Sequence, residues 1–341
     1  MSGGNYRDLL AIRNNCRLMK FTAEDWHRQK PWIDDPNSDV ADYVKRVAHP
    51  EDYDLEAKLE FFKEHGVVIF EGAIDSALLD LLQEDVKHLI EHAPEYDLLV
   101  EHAGIQRPIR EFESDTLANV DRLKFCNIQT ISRAAAHLSL NRCASSFLSH
   151  VFKDSPCLLQ SLLFNKGSQQ PLHLDYPYVR VQKHLACMAA SWIPLEDIHA
   201  DSGPLAYYCG SQRPEKMPFF DWGNGNIVMD EDAKKTPIDF SNHLYSEMHR
   251  LNIKPKVFLP KRGDVLIWHA YLAHEGTSIR NQQLTRKSYV THYCPLASYP
   301  DLHMKPNAIT EGHCLRENGG YVFDFPWVTN PNRLPSKNML S

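Results

Sequence analysis

Histidine and aspartate stand two residues apart in Pro171-Leu172-His173-Leu174-Asp175, and far downstream come His274 and then Arg286-Lys287-Ser288. On an extended strand successive side chains alternate between faces, so His173 and Asp175 project together while Leu174 points the other way. A histidine from a second, distant strand then completes a two-histidine, one-carboxylate set. Such a set takes one face of an octahedral iron(II) and leaves the opposite positions for oxygen and a cosubstrate. Two strands remote in sequence must therefore meet at one ion.

The remaining pattern is rich in short strands. Leu123–Ile131, Cys157–Asn165, Leu185–Pro194, Leu205–Tyr208, Val257–Leu259, Asp264–His269 and Lys287–Tyr293 are apolar or alternating runs parted by Gly, Pro, Asn and Asp clusters. That alternation predicts a sandwich or closed barrel of antiparallel strands. Ahead of it, Leu55, Leu59, Phe61 and Phe62 fit a helical face, Gly66 breaks it, Val67–Phe70 reads as a buried strand, and Ala73–Glu91 carries leucines at helical spacing. Three parts are expected: an arm over 1–55 lying on the body, a body over 56–300 that includes an insertion at 214–255, and an extension over 301–341. Within the insertion, Phe219–Arg250 is an excursion of the kind that carries substrate contacts.

Composition removes several classes. Lys plus Arg number 37 against 44 Asp plus Glu, a net charge of −7, so no broad attraction for nucleic acid or an anionic membrane is expected. The eight cysteines are scattered with no CxxC pair, which disfavours a zinc ribbon or a thioredoxin-like site and leaves reduced, buried thiols. The first residues lack a charged stretch followed by an apolar one, and the longest apolar runs are too short to span a bilayer, so a cytoplasmic location is expected.

The chain resembles the phytanoyl-CoA dioxygenase family of iron(II)- and 2-oxoglutarate-dependent oxygenases over roughly residues 60–295. The resemblance rests on Gly66–Gly72 and the helix after it, Asn165-Lys166 before the His173/Asp175 motif, Ser202-Gly203-Pro204-Leu205 to Gly210-Ser211-Gln212-Arg213, and Gly263–His269 running into His274. It implies a mainly β fold with flanking helices, a double-stranded β-helix or cupin-like jelly-roll barrel. It also implies iron(II) on His173, Asp175 and His274, with 2-oxoglutarate and O2 as cosubstrates. The distal carboxylate of 2-oxoglutarate would lie on Arg286, whose planar fork suits a carboxylate, with Ser288 adding a hydrogen bond. Trp192 and Lys124 fall where the family lines the cosubstrate pocket, and Gln160 lies on the strand entering it. Related halogenases lack the carboxylate ligand; here Asp175 is retained, so hydroxylation or another oxidation of a small molecule is expected.

Blander readings stand beside these. His269 rivals His274 as third ligand, but it ends an apolar run, whereas His274 has the family's spacing to Arg286. His184, His292, His303 and His313 read as structural, Arg286 alone could be a surface cation, and Trp192 could be plain core. Tyr176, Tyr178, Arg180 and His184 could face the substrate or simply pack. An alternative function is a cupin-type metal-binding protein that does not turn over 2-oxoglutarate: an isomerase, sensor or binding protein. No dedicated CoA site is evident, and the sequence carries no signal for substrate identity or oligomeric state.

Overall fold

Asp54 starts the helix Leu55–His65 by accepting the Ala57 N–H on its side chain, and Gly66 ends it at φ 72°, a left-handed conformation that a residue without Cβ adopts cheaply. The chain leaves that turn directly as strand β1 (Val67–Phe70). Asp75 caps the next helix, Ser76–Glu91, so it begins three residues later than the periodicity suggested. The computed structural model describes residues 20–48, 52–179, 181, 183–326 and 334–340.

Twelve further strands follow: β2 (Leu99–His102), β3 (Ile105–Pro108), β4 (Leu123–Cys126), β5 (Pro156–Phe164), β6 (Ala189–Pro194), β7 (Leu205–Tyr207), β8 (Lys256–Val257), β9 (Val265–His269), β10 (His274–Gly276), β11 (Ser288–Pro295), β12 (Cys314–Glu317) and β13 (Gly320–Phe323). The large sheet runs β1-β9-β6-β11-β5-β4-β2-β3 with antiparallel neighbours along that path, and the β12–β13 hairpin joins β5 through a parallel pairing of β13. The small sheet runs β10-β7-β8. Leu205, Tyr207 and Phe258 from the small-sheet side pack with Phe164, Trp192, Leu266, Trp268 and Val290 of the large sheet in one buried cluster. This is the interior of a jelly roll, in agreement with the expected fold class.

The other face of the large sheet is covered by helices. Leu163, Ile193, Val265, Ile267, Tyr289 and Tyr293 pack there with residues of the helices Leu55–His65, Ser76–Glu91, Arg133–Ser139 and Arg142–Phe152. Strand β11 thus divides its side chains by parity: Tyr289 and Tyr293 enter the helical layer, while Ser288, Val290 and His292 turn inward. The outward hydroxyls are satisfied, since Tyr293 donates to the Ser139 carbonyl at 2.6 Å and Tyr289 reaches Ser139 Oγ at 2.8 Å. Shifting β11 by one residue would strand both phenols and expel the inward groups, so its register is strongly specified.

Several elements depart from the expectations. Leu123–Ile131 is strand only as far as Cys126, because Asn127 turns left-handed (φ 59°) into the 3-10 turn Ile128–Thr130. The run from Leu185 becomes strand only at Ala189, and the excursion holds a long helix, Pro237–Arg250, opened by a Thr236/Asp239 capping box. Within the arm, Trp26 is fully buried against Tyr176, Tyr271 and Phe219. The seven cysteines among the described residues are free thiols, and no helix among those residues is long and apolar enough to cross a membrane.

Candidate metal and cosubstrate site

His173 and His274 meet through a backbone bridge, each N–H donating to the other's carbonyl at 3.0 Å. The segment around His173 was expected to be a strand. It is instead a single bridge to β10, after which Asp175 opens a turn by accepting the Tyr178 and Val179 N–H groups. The turn still delivers Asp175 beside the histidines. One ligand atom from each of His173, Asp175 and His274 lies within 4.8 Å of the others. Nearby, Gly167 lets the preceding loop approach the 202–204 turn, where a Cβ would sit 2.8 Å from the Ser202 carbonyl oxygen.

The hydrogen bonds around the triad leave metal-facing atoms free. His173 Nδ1 is 2.9 Å from the Pro171 carbonyl and His274 Nδ1 is 2.9 Å from the Leu272 carbonyl, so each ring carries its proton on Nδ1 and keeps an Nε2 lone pair. Burial lowers the His173 pKa to about 3, and the neutral form is the one that binds a metal. Burial would by itself raise the Asp175 carboxyl, but His274, His292 and His173 outweigh it and hold it well below the usual carboxylate range.

His269 is turned elsewhere. Its Nε2 is 3.1 Å from Asp34 in the arm and its Nδ1 accepts the Tyr271 N–H at 3.0 Å, so both ring nitrogens are used. Of the two rivals, His274 is the one brought to His173 and Asp175.

Arg286 is 2% exposed and sits over the rings of Phe164 (5.5 Å) and Trp192 (5.6 Å). Its Nε has no hydrogen-bond partner, and among the described residues no carboxylate pairs with it. Burial alone lowers its pKa, to about 10. Ser288 Oγ, on the strand that Arg286 leads into, is likewise buried and unpartnered. A buried cation beside an unsatisfied hydroxyl is costly unless an anion arrives to pair with it, and a carboxylate supplies the matching acceptors.

Lys124 lies in β4 with its Nζ 2.9 Å from Glu101 Oε1, so its charge is engaged by a partner that the sequence did not signal. Gln160 is paired with His292 across β5 and β11, and Trp192 with Val290 across β6 and β11. Tyr176 is buried and stacked on Tyr271; Tyr178 keeps 37% of its surface exposed with its ring 6.5 Å from that of His173. His184 bonds Ser298 Oγ at 2.8 Å, and Arg180 lies outside the described residues.

Two residues of this region escaped the sequence reading. Trp268 donates its indole N–H to Asp175 Oδ2 at 2.7 Å, and His292 Nε2 lies 3.4 Å from the same oxygen. His292 had a signal, because it falls an even number of residues after Arg286 and Ser288 on one face of one strand.

Residues 62–288, most of the chain, match the phytanoyl-CoA dioxygenase (PhyH) family. The chain belongs to that family. The iron, 2-oxoglutarate and O2 expected from the resemblance are the cofactor and cosubstrates of this family, and the donor set fits them: two imidazoles and a carboxylate for iron, a buried guanidinium for the keto acid's far end. Among solved structures the chain is similar to EctD from S. alaskensis with 2-oxoglutarate and 5-hydroxyectoine (15% identity, 74% of this chain and 80% of that one, TM-score 0.54). It is also similar to the epimerase SnoN in complex with Fe3+, alpha ketoglutarate and nogalamycin RO (14% identity, 72% and 86%, TM-score 0.52). At such identities the likeness speaks for the fold. No curated protein sequence matches the chain.

Proposed function

We propose that this PhyH-family protein is an iron(II)- and 2-oxoglutarate-dependent dioxygenase that hydroxylates a small molecule, with release of succinate and CO2. His173, Asp175 and His274 would hold the iron, and Arg286 with Ser288 would hold the distal carboxylate of 2-oxoglutarate. The observation that carries this reading is the buried Arg286 guanidinium without an acidic partner among the described residues, two positions before the unsatisfied Ser288 hydroxyl. A metal-binding jelly roll with no use for 2-oxoglutarate would have no reason to keep that cation buried, which weighs against a cupin-type isomerase or sensor.

Iron(II), when bound together with the keto acid, supplies the oxidising chemistry. The protein's own groups do the rest. The Nδ1 bonds of both histidines fix the rings so that Nε2 faces the ion, Arg286 and Ser288 orient the keto acid, and Phe164, Trp192 and Val290 exclude water around it. Retention of Asp175 supports hydroxylation over halogenation. The aromatic group Tyr178, Trp222 and Phe240 beside His173 offers an apolar wall for a substrate.

The deciding experiment incubates the protein anaerobically with Fe(II) and 2-oxoglutarate, records the visible metal-to-ligand charge-transfer band, then admits O2 with a metabolite library and measures succinate and oxygenated product by mass spectrometry. Metal uptake with no band and no succinate would favour the binding-protein alternative.

A further inference from the structure

Asp175 presents its two oxygens to different surroundings. Oδ1 faces the histidines, 3.5 Å from His274 Nε2 and 3.9 Å from His173 Nε2. Oδ2 turns the other way, toward the Trp268 indole N–H at 2.7 Å and His292 Nε2 at 3.4 Å. Both donors come from the large sheet, Trp268 from β9 and His292 from β11, whereas the ligands come from the small-sheet side. Trp268 and His292 are 3% exposed, so no water competes readily for that oxygen. The backbone of each is fixed by strand pairing, Trp268 to Ala190 and Val67, His292 to Ala190 and Gln160.

We propose that Trp268 and His292 are positioning residues that hold Asp175 to one-oxygen ligation of the metal. The proposal rests on the metal-site reading above. A carboxylate has two oxygens that can both bind one ion, and the second would fill a position that the cosubstrates need. An indole N–H is a donor only and cannot itself become a ligand, so it takes Oδ2 out of competition. With its proton on Nε2, His292 adds a second donor to the same oxygen. The large sheet thereby governs the coordination number of an ion whose protein ligands it does not supply.

The test uses Co(II) as the probe on the full-length protein, with affinity from titration and coordination from the d–d absorption, fold being checked by circular dichroism. Trp268→Phe and His292→Leu are each expected to weaken Co(II) binding about tenfold, the lower end of what loss of a ligand's supporting hydrogen bond costs, and to change the d–d envelope as Oδ2 becomes free to bind. His292→Gln keeps an N–H donor near the position of Nε2 and is expected to restore both readouts. Trp268→Phe and His292→Leu proteins with wild-type affinity and spectrum would overturn the proposal. So would a His292→Gln protein as impaired as His292→Leu, since packing would then explain the loss. Should His292→Leu fail to fold, Trp268→Phe decides alone. Wild-type protein that takes up no Co(II) would overturn the metal-site reading along with this one, whereas uptake that is insensitive to all three substitutions would overturn this one only.

Discussion

His173 and His274 hydrogen-bond each other's backbones in both directions, so the two imidazoles are set side by side, with ring centroids 4.2 Å apart, by main-chain pairing before any ion binds. Main-chain pairing thus accounts for the approach of the two rings.

Replacing His173, Asp175 or His274 with Ala should each abolish succinate formation and reduce metal uptake at least a hundredfold, because each removes one of the three proposed ligands. His269→Ala should keep most of the activity, its bond being to Asp34 in the arm, and should instead cost stability of about 1–2 kcal/mol. Isothermal titration with Fe(II) under anaerobic conditions, paired with succinate assays, separates the two classes. The opposite pattern would make His269 the third ligand.

Arg286→Lys keeps the charge but loses the planar fork, and should raise the KM for 2-oxoglutarate by roughly a hundredfold. Ser288→Ala, which removes one hydrogen bond, should raise it only about fivefold. Burial lowers the pKa of the guanidinium to about 10, still far above neutral, so Arg286 stays charged and its burial without an anion is a standing cost to the folded protein. Adding 2-oxoglutarate should therefore raise the Tm of the wild type and leave that of Arg286→Ala unchanged, measured by scanning fluorimetry with Co(II) present.

Asp85 is fully buried in the helix Ser76–Glu91, where it accepts from Ser132 Oγ at 2.5 Å, from the Ser336 backbone N–H at 3.0 Å and from the Ser336 hydroxyl. It ties that helix both to the cap of Arg133–Ser139 and to the C-terminal segment. Asp85→Ala would leave three buried donors unsatisfied and should destabilise the fold by about 3–4 kcal/mol, read from urea denaturation, with metal affinity unchanged.

Burial lowers the pKa of His303 from 6.5 to about 4. The unfolded chain thus takes up a proton as pH falls through 6.5, while the folded chain refuses it until about pH 4. Stability from this group is fully present above pH 6.5 and is lost progressively down to pH 4, by an amount on the order of 3 kcal/mol. In His303→Gln the fall of unfolding free energy between pH 6.5 and 4.5 should be shallower; an unchanged slope would contradict the assignment.

That His173, Asp175 and His274 come together was legible because the information is local: two residues at strand spacing, then a histidine and an arginine in a fixed order. The same holds for Leu55–His65, whose start and stop are written by Asp54 and Gly66. What escaped was set by tertiary contact. The partner of Lys124 is Glu101 on β2, a strand with no apolar alternation to mark it, and only the β2–β4 register brings them together. His292 read as structural because its chemistry depends on facing Asp175, which sits on another segment. The His173 segment failed to become a full strand since Asp175 must turn to cap Tyr178 and Val179, a demand of backbone hydrogen bonding that residue spacing does not reveal.

The burial of Trp26 bears on how the protein is handled. Its indole fills the space between Tyr176, one residue past Asp175, and Tyr271, three residues before His274. A truncated version beginning beyond that tryptophan would open an aromatic hollow close in sequence to Asp175 and His274, two of the three proposed metal ligands, so recombinant versions should begin upstream of it.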